Sequence, residues 1–339
     1  MYLKNLWYFA HRGDQLKPSS MISKTLLDKP ILIARDADGL PFAVQDICPH
    51  RGIPLSKGTF DGREVKCCYH GWSFNREGRC TAIPSLVEDQ KFNVERVRVR
   101  RYPCREVQGI IWIYFGDETN ELIDPPKIPD IGDRRPNTAF TMPFPCHVDH
   151  AVIGLMDPAH GPFVHRAWWW RSGSSIHEKS KAFAPSERGF KMVRHPPSSN
   201  SAAYKLLGGD MTTEISFQLP SVRIEHIRAG EHILCGLTAV TPINETETEL
   251  NHLIYWTQPW LTPLTPLLRP FVRAFLKQDR DILTMQQEGL KHAPKLMLIN
   301  DADMQAKWYY RLKESWAEST NTGAPFENPV KAKKLRWRS

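Results

Sequence analysis

The chain has 339 residues, of which 41% are apolar and 24% charged. These are ordinary proportions for a globular protein long enough for one large or two moderate domains. No apolar run reaches the ~18–20 residues of a membrane span, and Met1 to Asp14, carrying Lys4, His11 and Arg12, has no cleavage-site pattern, so no signal peptide is expected. The formal charge of +8 would suit nucleic acid, but the basic residues are dispersed and only Lys331 to Arg338 is dense. No nucleic-acid partner is therefore expected; an acidic electron-donor protein or an anionic substrate accounts equally well for the bias.

Residues 1–116 read as β-rich. Ile31 to Ala34 and Phe42 to Val44 flank Asp36-Ala37-Asp38-Gly39, a hairpin signal. Cys48-Pro49-His50-Arg51-Gly52 and Cys67-Cys68-Tyr69-His70-Gly71-Trp72 follow, in the spacing C-x-H, sixteen residues, C-x-x-H. Each loop offers one thiolate and one imidazole. Two Cys on one iron and two His on the other is the ligand set of a Rieske [2Fe–2S] centre. A zinc site can use the same donors, but zinc fingers pair like with like, whereas here each loop carries one of each. Cys67 has the x-x spacing to His70 and Cys68 does not, so Cys67 is the expected ligand beside Cys48, His50 and His70.

Gly109 to Gly116 reads as a buried strand that closes this first domain. Asp117 to Asn137, with Asp124-Pro125-Pro126, Pro129 and Arg134-Arg135-Pro136, reads as an extended linker. The expected organisation is 1–117, an all-β cluster domain; 118–137, a linker; and 138–339, an α+β domain. In the last, residues 149–160 look helical. Thr213 to Gln218, Val222 to Arg228, His232 to Val240 and Leu250 to Thr257 look like strands. Leu267 to Leu290 and Ala302 to Glu318 look helical again. The five cysteines not assigned to the cluster, Cys68, Cys80, Cys104, Cys146 and Cys235, are scattered like reduced core residues, which points to a cytoplasmic location.

A second metal constellation is expected near Asp157-Pro158-Ala159-His160-Gly161-Pro162-Phe163-Val164-His165. Five residues apart, His160 and His165 would diverge by about 140° on one helix. Gly161-Pro162 is expected to stop the helix, letting His165 fold back. Iron(II) sites that activate O₂ commonly add one carboxylate to two histidines. Asp279 falls amid Phe275, Ile282, Leu283 and Gln286 on one helical face, whereas Asp281 groups with Lys277, Gln278 and Glu288. A lone carboxylate on a buried stripe is costly unless paired or metal-bound, so Asp279 is preferred. Trp168-Trp169-Trp170 reads as core or interface packing, with the lining of an aromatic or polycyclic pocket as the sharper alternative.

Together, the cluster loops, D-x-x-H-x-x-x-x-H and D-x-x-I-L-x-x-Q-Q resemble the Rieske non-haem iron oxygenases, specifically their terminal oxygenase α subunits. Demethylase-like members are comparable, and the run around His160 is similar to the pheophorbide-oxygenase branch. The resemblance spans essentially the whole chain. It implies a helix-grip catalytic domain, an antiparallel sheet with helices, behind the Rieske domain, and a head-to-tail homotrimer. It implies a [2Fe–2S] cluster on Cys48, His50, Cys67 and His70, and Fe(II) on His160, His165 and Asp279. Asp157 would bridge His70 of one subunit to His160 of the next, carrying electrons between them. The implied activity is mono- or dioxygenation, hydroxylating or O/N-demethylating an aromatic or polycyclic hydrophobic small molecule with O₂. Electrons would come from an NAD(P)H-dependent reductase, directly or through a ferredoxin; the chain has no G-x-G-x-x-G unit of its own. The alternative is a Rieske-type electron carrier without substrate chemistry, which leaves over two hundred residues without a role. Gly154 departs from the family, several of whose members have Asn three residues before the bridging acid.

Overall fold

Asp36 to Gly39 does turn the chain between two strands. The Asp36 carboxylate accepts the Leu40 N–H at 2.8 Å, and Gly39 takes φ +85°, a conformation that costs a glycine little. Such turns divide the N-terminal part into short strands: β1 (Leu6–Arg12), β2 (Ser20–Leu26), β3 (Lys29–Arg35), β4 (Pro41–Gln45), β5 (Thr59–Phe60), β6 (Glu64–Lys66), β7 (Ser73–Asn75), β8 (Cys80–Ala82), β9 (Arg101–Tyr102), β10 (Cys104–Val107) and β11 (Ile110–Phe115). They form three antiparallel sheets, in the orders β1-β11-β10, β2-β3-β4-β9 and β5-β6-β7-β8. Every residue of β11 is buried, as its unbroken apolar run requires.

This computed structural model describes residues 2–116, 122–165, 176–196 and 210–339; Trp168-Trp169-Trp170 lie outside them. The chain divides into two units, Asn5–Lys127 and Ile128–Ser339, with Met1–Lys4 belonging to the second. The division falls inside the expected linker. Four N-terminal residues join the C-terminal unit, where Trp316 Nε1–H donates to the Lys4 carbonyl at 2.8 Å.

The second unit is an eight-stranded antiparallel sheet with helices. Its strands are β12 (Thr138–Phe144), β13 (Glu178–Ser186), β14 (Gly189–His195), β15 (Met211–Gln218), β16 (Val222–Ala229), β17 (His232–Pro242), β18 (Thr248–Trp256) and β19 (Lys333–Arg338), in the order β12-β18-β17-β16-β15-β14-β13-β19. The dense basic segment is thus an edge strand. Leu335 and Trp337 point inward and are buried, while the intervening basic residues are exposed, so its alternation is that of a half-buried strand.

The helices are α1 (Val148–Met156), α2 (Gly161–Val164), α3 (Thr265–Leu290) and α4 (Met304–Thr322). Trp308 and Tyr309 of α4 pack on Phe190 and Phe217, on the face of the sheet that also bears Arg223. On that same face, Arg269 of α3 lies over the Phe140 ring and donates to Thr138 Oγ1 at 3.1 Å. The helix N-terminal to His160 ends at Met156, earlier than expected. Gly161-Pro162 begins a new short helix instead of ending one, because proline is well suited to a first helical turn. Among the described residues, no helix is long and apolar enough to cross a membrane.

Candidate metal centres

The two cluster loops are built alike. Cys48 N–H donates to the Ile53 carbonyl at 2.8 Å, and Cys67 N–H to the Trp72 carbonyl at 2.9 Å. Gly52 N–H returns to the Cys48 carbonyl at 2.9 Å, and Gly71 N–H to the Cys67 carbonyl at 3.0 Å. Both glycines take positive φ, +74° and +71°, which is why glycine stands four residues after each cysteine. The loops therefore present equivalent atoms to one another. Cys48 and Cys67 are buried in a core with Leu55, Val65 and Phe74. His50 and His70 remain half-exposed, with ring centroids 4.5 Å apart. His50 stacks on Trp72 at 4.5 Å and 3°, which fixes its ring plane. Burial, together with the neighbouring Cys67 thiol, raises the Cys48 pKa, as expected for two sulfur donors held together in an apolar site. Cys68 is exposed and outside this core. The donors fit the cluster the sequence suggests: inward sulfurs, outward imidazoles.

The second group lies in the C-terminal unit. His160 and His165 flank α2, so its single turn brings their Nε2 atoms to 3.1 Å. Asp279, on α3, places Oδ1 at 3.2 Å from His165 Nε2 and 3.7 Å from His160 Nε2. One donor atom from each of the three lies within 4.8 Å of the others. Two nitrogens and one carboxylate oxygen converging on a common point is a donor set for a transition metal with positions left open. Asp281 is elsewhere, paired with Lys277 at 2.5 Å and Arg280 at 3.2 Å on the exposed side.

Gln278 was not legible as part of this site, and Phe275 reads only as a neighbour of Asp279 on one helical face. The reading that groups Gln278 with Asp281 is corrected by the structure: Gln278 Oε1 lies 2.9 Å from His165 Nδ1. As an acceptor it holds the proton on Nδ1 and leaves Nε2 free for a metal. Phe275 stacks on the His165 ring at 3.7 Å and 15°. Ile282, read as part of the buried face, is 43% exposed, and the buried residues of α3 are Leu276 and Leu283. The buried stripe is narrower than the periodicity suggests.

Asp157 is the C-cap of α1 and accepts the Ala159 N–H at 2.7 Å; it is not a helix N-cap. Its Oδ2 lies 3.6 Å from His160 Nδ1, a buried nitrogen that makes no hydrogen bond among the described residues. Burial would raise the Asp157 pKa, but His160 and the Ala159 amide outweigh it and hold it low. Burial would lower His160, and Asp157 and Asp279 outweigh it in turn. The helix bearing Asp157 is anchored through Asp149, whose Oδ1 accepts from Tyr309 at 2.7 Å and Lys313 at 2.5 Å. Gly154, on the same helix, has room: an added Cβ would meet only Leu283 Cδ2, at 3.9 Å.

These two centres on these two units are the arrangement of a Rieske oxygenase. The Rieske [2Fe-2S] domain model matches residues 6–103, and the vanillate O-demethylase oxygenase C-terminal domain model matches residues 132–319. The second covers more than half of the chain, which belongs to that family. The chain is 36% identical over 170 residues to the oxygenase component of dicamba O-demethylase from Stenotrophomonas maltophilia, covering 49% of this chain and 48% of that one. It is 33% identical over 172 residues to chloroplastic chlorophyllide a oxygenase from Arabidopsis thaliana, covering 48% and 29%. The chain thus spans less than half the length of these curated relatives. A crystal structure of dicamba monooxygenase bound to dicamba superposes with a TM-score of 0.74 at 22% identity, covering 95% of this chain and 99% of that one, and it shares the fold.

Proposed function

We propose that the protein is a terminal oxygenase that uses O₂ and an externally supplied electron pair to hydroxylate or O/N-demethylate an aromatic or polycyclic hydrophobic molecule. The observation that carries this reading is the convergence of His160, His165 and Asp279 in a chain that also has a Rieske domain. An electron carrier would need no second metal site.

Cys48, His50, Cys67 and His70 would hold the [2Fe–2S] cluster, and His160, His165 and Asp279 the iron. When bound, the two groups supply electron storage and O₂ activation respectively. The chain's own contribution is positional. Gln278 keeps the His165 proton on Nδ1, and Phe275 keeps its ring in plane. Asp157 stands beside the Nδ1 atom of His160 and would bridge it to His70 of a neighbouring subunit in a head-to-tail homotrimer. The half-exposed His50 and His70 suit exchange of electrons at the surface of the cluster unit. A reductase using NAD(P)H, with or without a ferredoxin, would be the source. Seven free thiols favour a reducing, cytoplasmic setting.

The test is metal analysis beside a product screen with a surrogate reductase over aromatic, steroid-like and tetrapyrrole compounds. Asp279→Ala should lose the mononuclear iron and all product while keeping the visible cluster spectrum, and Asp281→Asn should lose neither. Iron retained in Asp279→Ala, or lost in Asp281→Asn, would sink the assignment.

A further inference from the structure

The two faces of the central sheet differ. On one, Ile224, His226, Cys235, Leu237, Leu253 and Tyr255 are all buried. On the other, the cross-strand row Arg223–Thr238–His252 and its neighbours Glu225, Gly236 and Ile254 retain partial exposure, Thr238 excepted. This second face is the one crossed by α3, where Arg269 packs on Phe140, the β12 partner of His252. Asp279 lies ten residues further along α3, about 15 Å on. His252 nonetheless sits deep: burial, with Arg223 adding to it, pushes its pKa down to about 4, and it feels the Asp279 carboxylate. His252 thus keeps accessible surface in the middle of a sheet face that α3 crosses, turned toward the space between sheet and helix.

The chemistry of this row is specific. His252 Nδ1 and Thr238 Oγ1 are 2.8 Å apart, which fixes the ring. A Cβ on Gly236 would lie 3.3 Å from His252 Cε1, so glycine makes room for the imidazole to lie along the sheet. Among the described residues, no hydrogen bond is made by Nε2. Among the described residues, the cation that acts on it, Arg223, is paired with Glu225 at 3.2 Å. Among the described residues, this row therefore carries no uncompensated positive charge. Such a row favours a neutral hydrogen-bonding group over an anion.

We propose that His252, seated on Gly236 and held by Thr238, is a specificity-determining residue that receives a hydroxyl group of an otherwise apolar, uncharged substrate. This inference rests on the oxygenase reading and narrows its substrate class. A hydroxyl can donate or accept, so it suits either tautomer of the imidazole.

The experiment uses the iron- and cluster-loaded protein with three probes of one shape: naphthalene, 2-naphthol and 2-naphthoate. Binding is measured by calorimetry for the wild type, His252→Phe and Gly236→Val. One net hydrogen bond corresponds to a preference of about fivefold to tenfold for 2-naphthol over naphthalene, with 2-naphthoate no better than naphthalene. His252→Phe should bring the ratio of 2-naphthol to naphthalene affinity to about one, and Gly236→Val, by displacing the ring, should do the same. Tightest binding by 2-naphthoate, a 2-naphthol preference that survives in His252→Phe, or no binding of any probe would each overturn the proposal. Iron content is read on the same samples. A protein that binds no mononuclear iron refutes the oxygenase reading, whereas an iron-loaded protein indifferent to the hydroxyl refutes only the role of His252.

Discussion

Replacing Gln278 isolates one hydrogen bond at the mononuclear site. His165 is 3% exposed, and its Nδ1 lies 2.9 Å from Gln278 Oε1. In Gln278→Leu the imidazole has two options. It can keep its proton on a buried Nδ1 with no acceptor, at about 1–3 kcal/mol. It can instead move the proton to Nε2, the atom that faces His160 and Asp279, and so withdraw the lone pair a metal needs. Either way the apo site is less ready for metal. The expected loss is about 10–100-fold in iron(II) affinity, or roughly 1.4–2.7 kcal/mol. The loss stops there because the Phe275 stack still holds the ring plane. Gln278→Glu keeps an acceptor at the same reach and should bind iron within a few-fold of wild type. The assay is an anaerobic iron(II) titration against a competing chelator, with the cluster absorbance as internal control. Leu and wild type binding iron equally, or Glu falling as far as Leu, would refute the reasoning.

Cys67→Ala should abolish the visible Rieske spectrum and Cys68→Ala should preserve it, since only Cys67 lies in the buried core; an intact spectrum in Cys67→Ala would reverse the assignment. Asp157→Asn should keep both metal centres and let the donor reduce the cluster, yet slow single-turnover oxidation of that cluster with substrate and O₂ by orders of magnitude. A neutral amide cannot accept charge-assisted bonds from two imidazoles, and unchanged cluster oxidation would reduce Asp157 to the acceptor of the Ala159 amide. Gly154→Ala should stabilise the protein by about 0.5–1 kcal/mol in urea unfolding, because the site is helical and the added methyl meets only Leu283 at 3.9 Å. Destabilisation would mean that the space around Gly154 is needed.

The candidate donors were readable because their chemistry is written in short spacings. C-x-H and C-x-x-H lie within single loops, and the Gly-Pro after His160 signals a break that the structure turns into a one-turn helix. Asp279 is preferred over Asp281 from its place beside Phe275 and Leu283 on one helical face and the cost of a lone carboxylate there, although Ile282 of that face is exposed. Periodicity failed for its neighbour Gln278, because a polar residue on the margin of a helical face is assigned outward unless its partner is known. That partner, His165, is 113 residues away. The C-terminal strand was missed for a related reason. Lys331 to Arg338 reads as a basic tail when charge is counted, and as Leu-x-Trp alternation only once an edge is available to receive it. His252 has no motif at all; it becomes visible through the register of three strands and the space above Gly236.

The place of β19 has a consequence for biosynthesis. Strand β13 has β14 on one side, which follows it directly in the chain, and β19 on the other. From Ser186 to Lys333 the ribosome must add 147 residues, which takes roughly 7–30 s at ordinary elongation rates. Throughout that interval the outer edge of β13 offers unpaired amides and carbonyls, the template on which chains aggregate. Lys179 and Lys181 stand half-buried on the face of β13 that also carries buried Phe183, inward-leaning charges of the kind that discourage pairing with another copy. A chain stopped before Lys333 would keep that edge open, so it should be insoluble rather than slightly weakened.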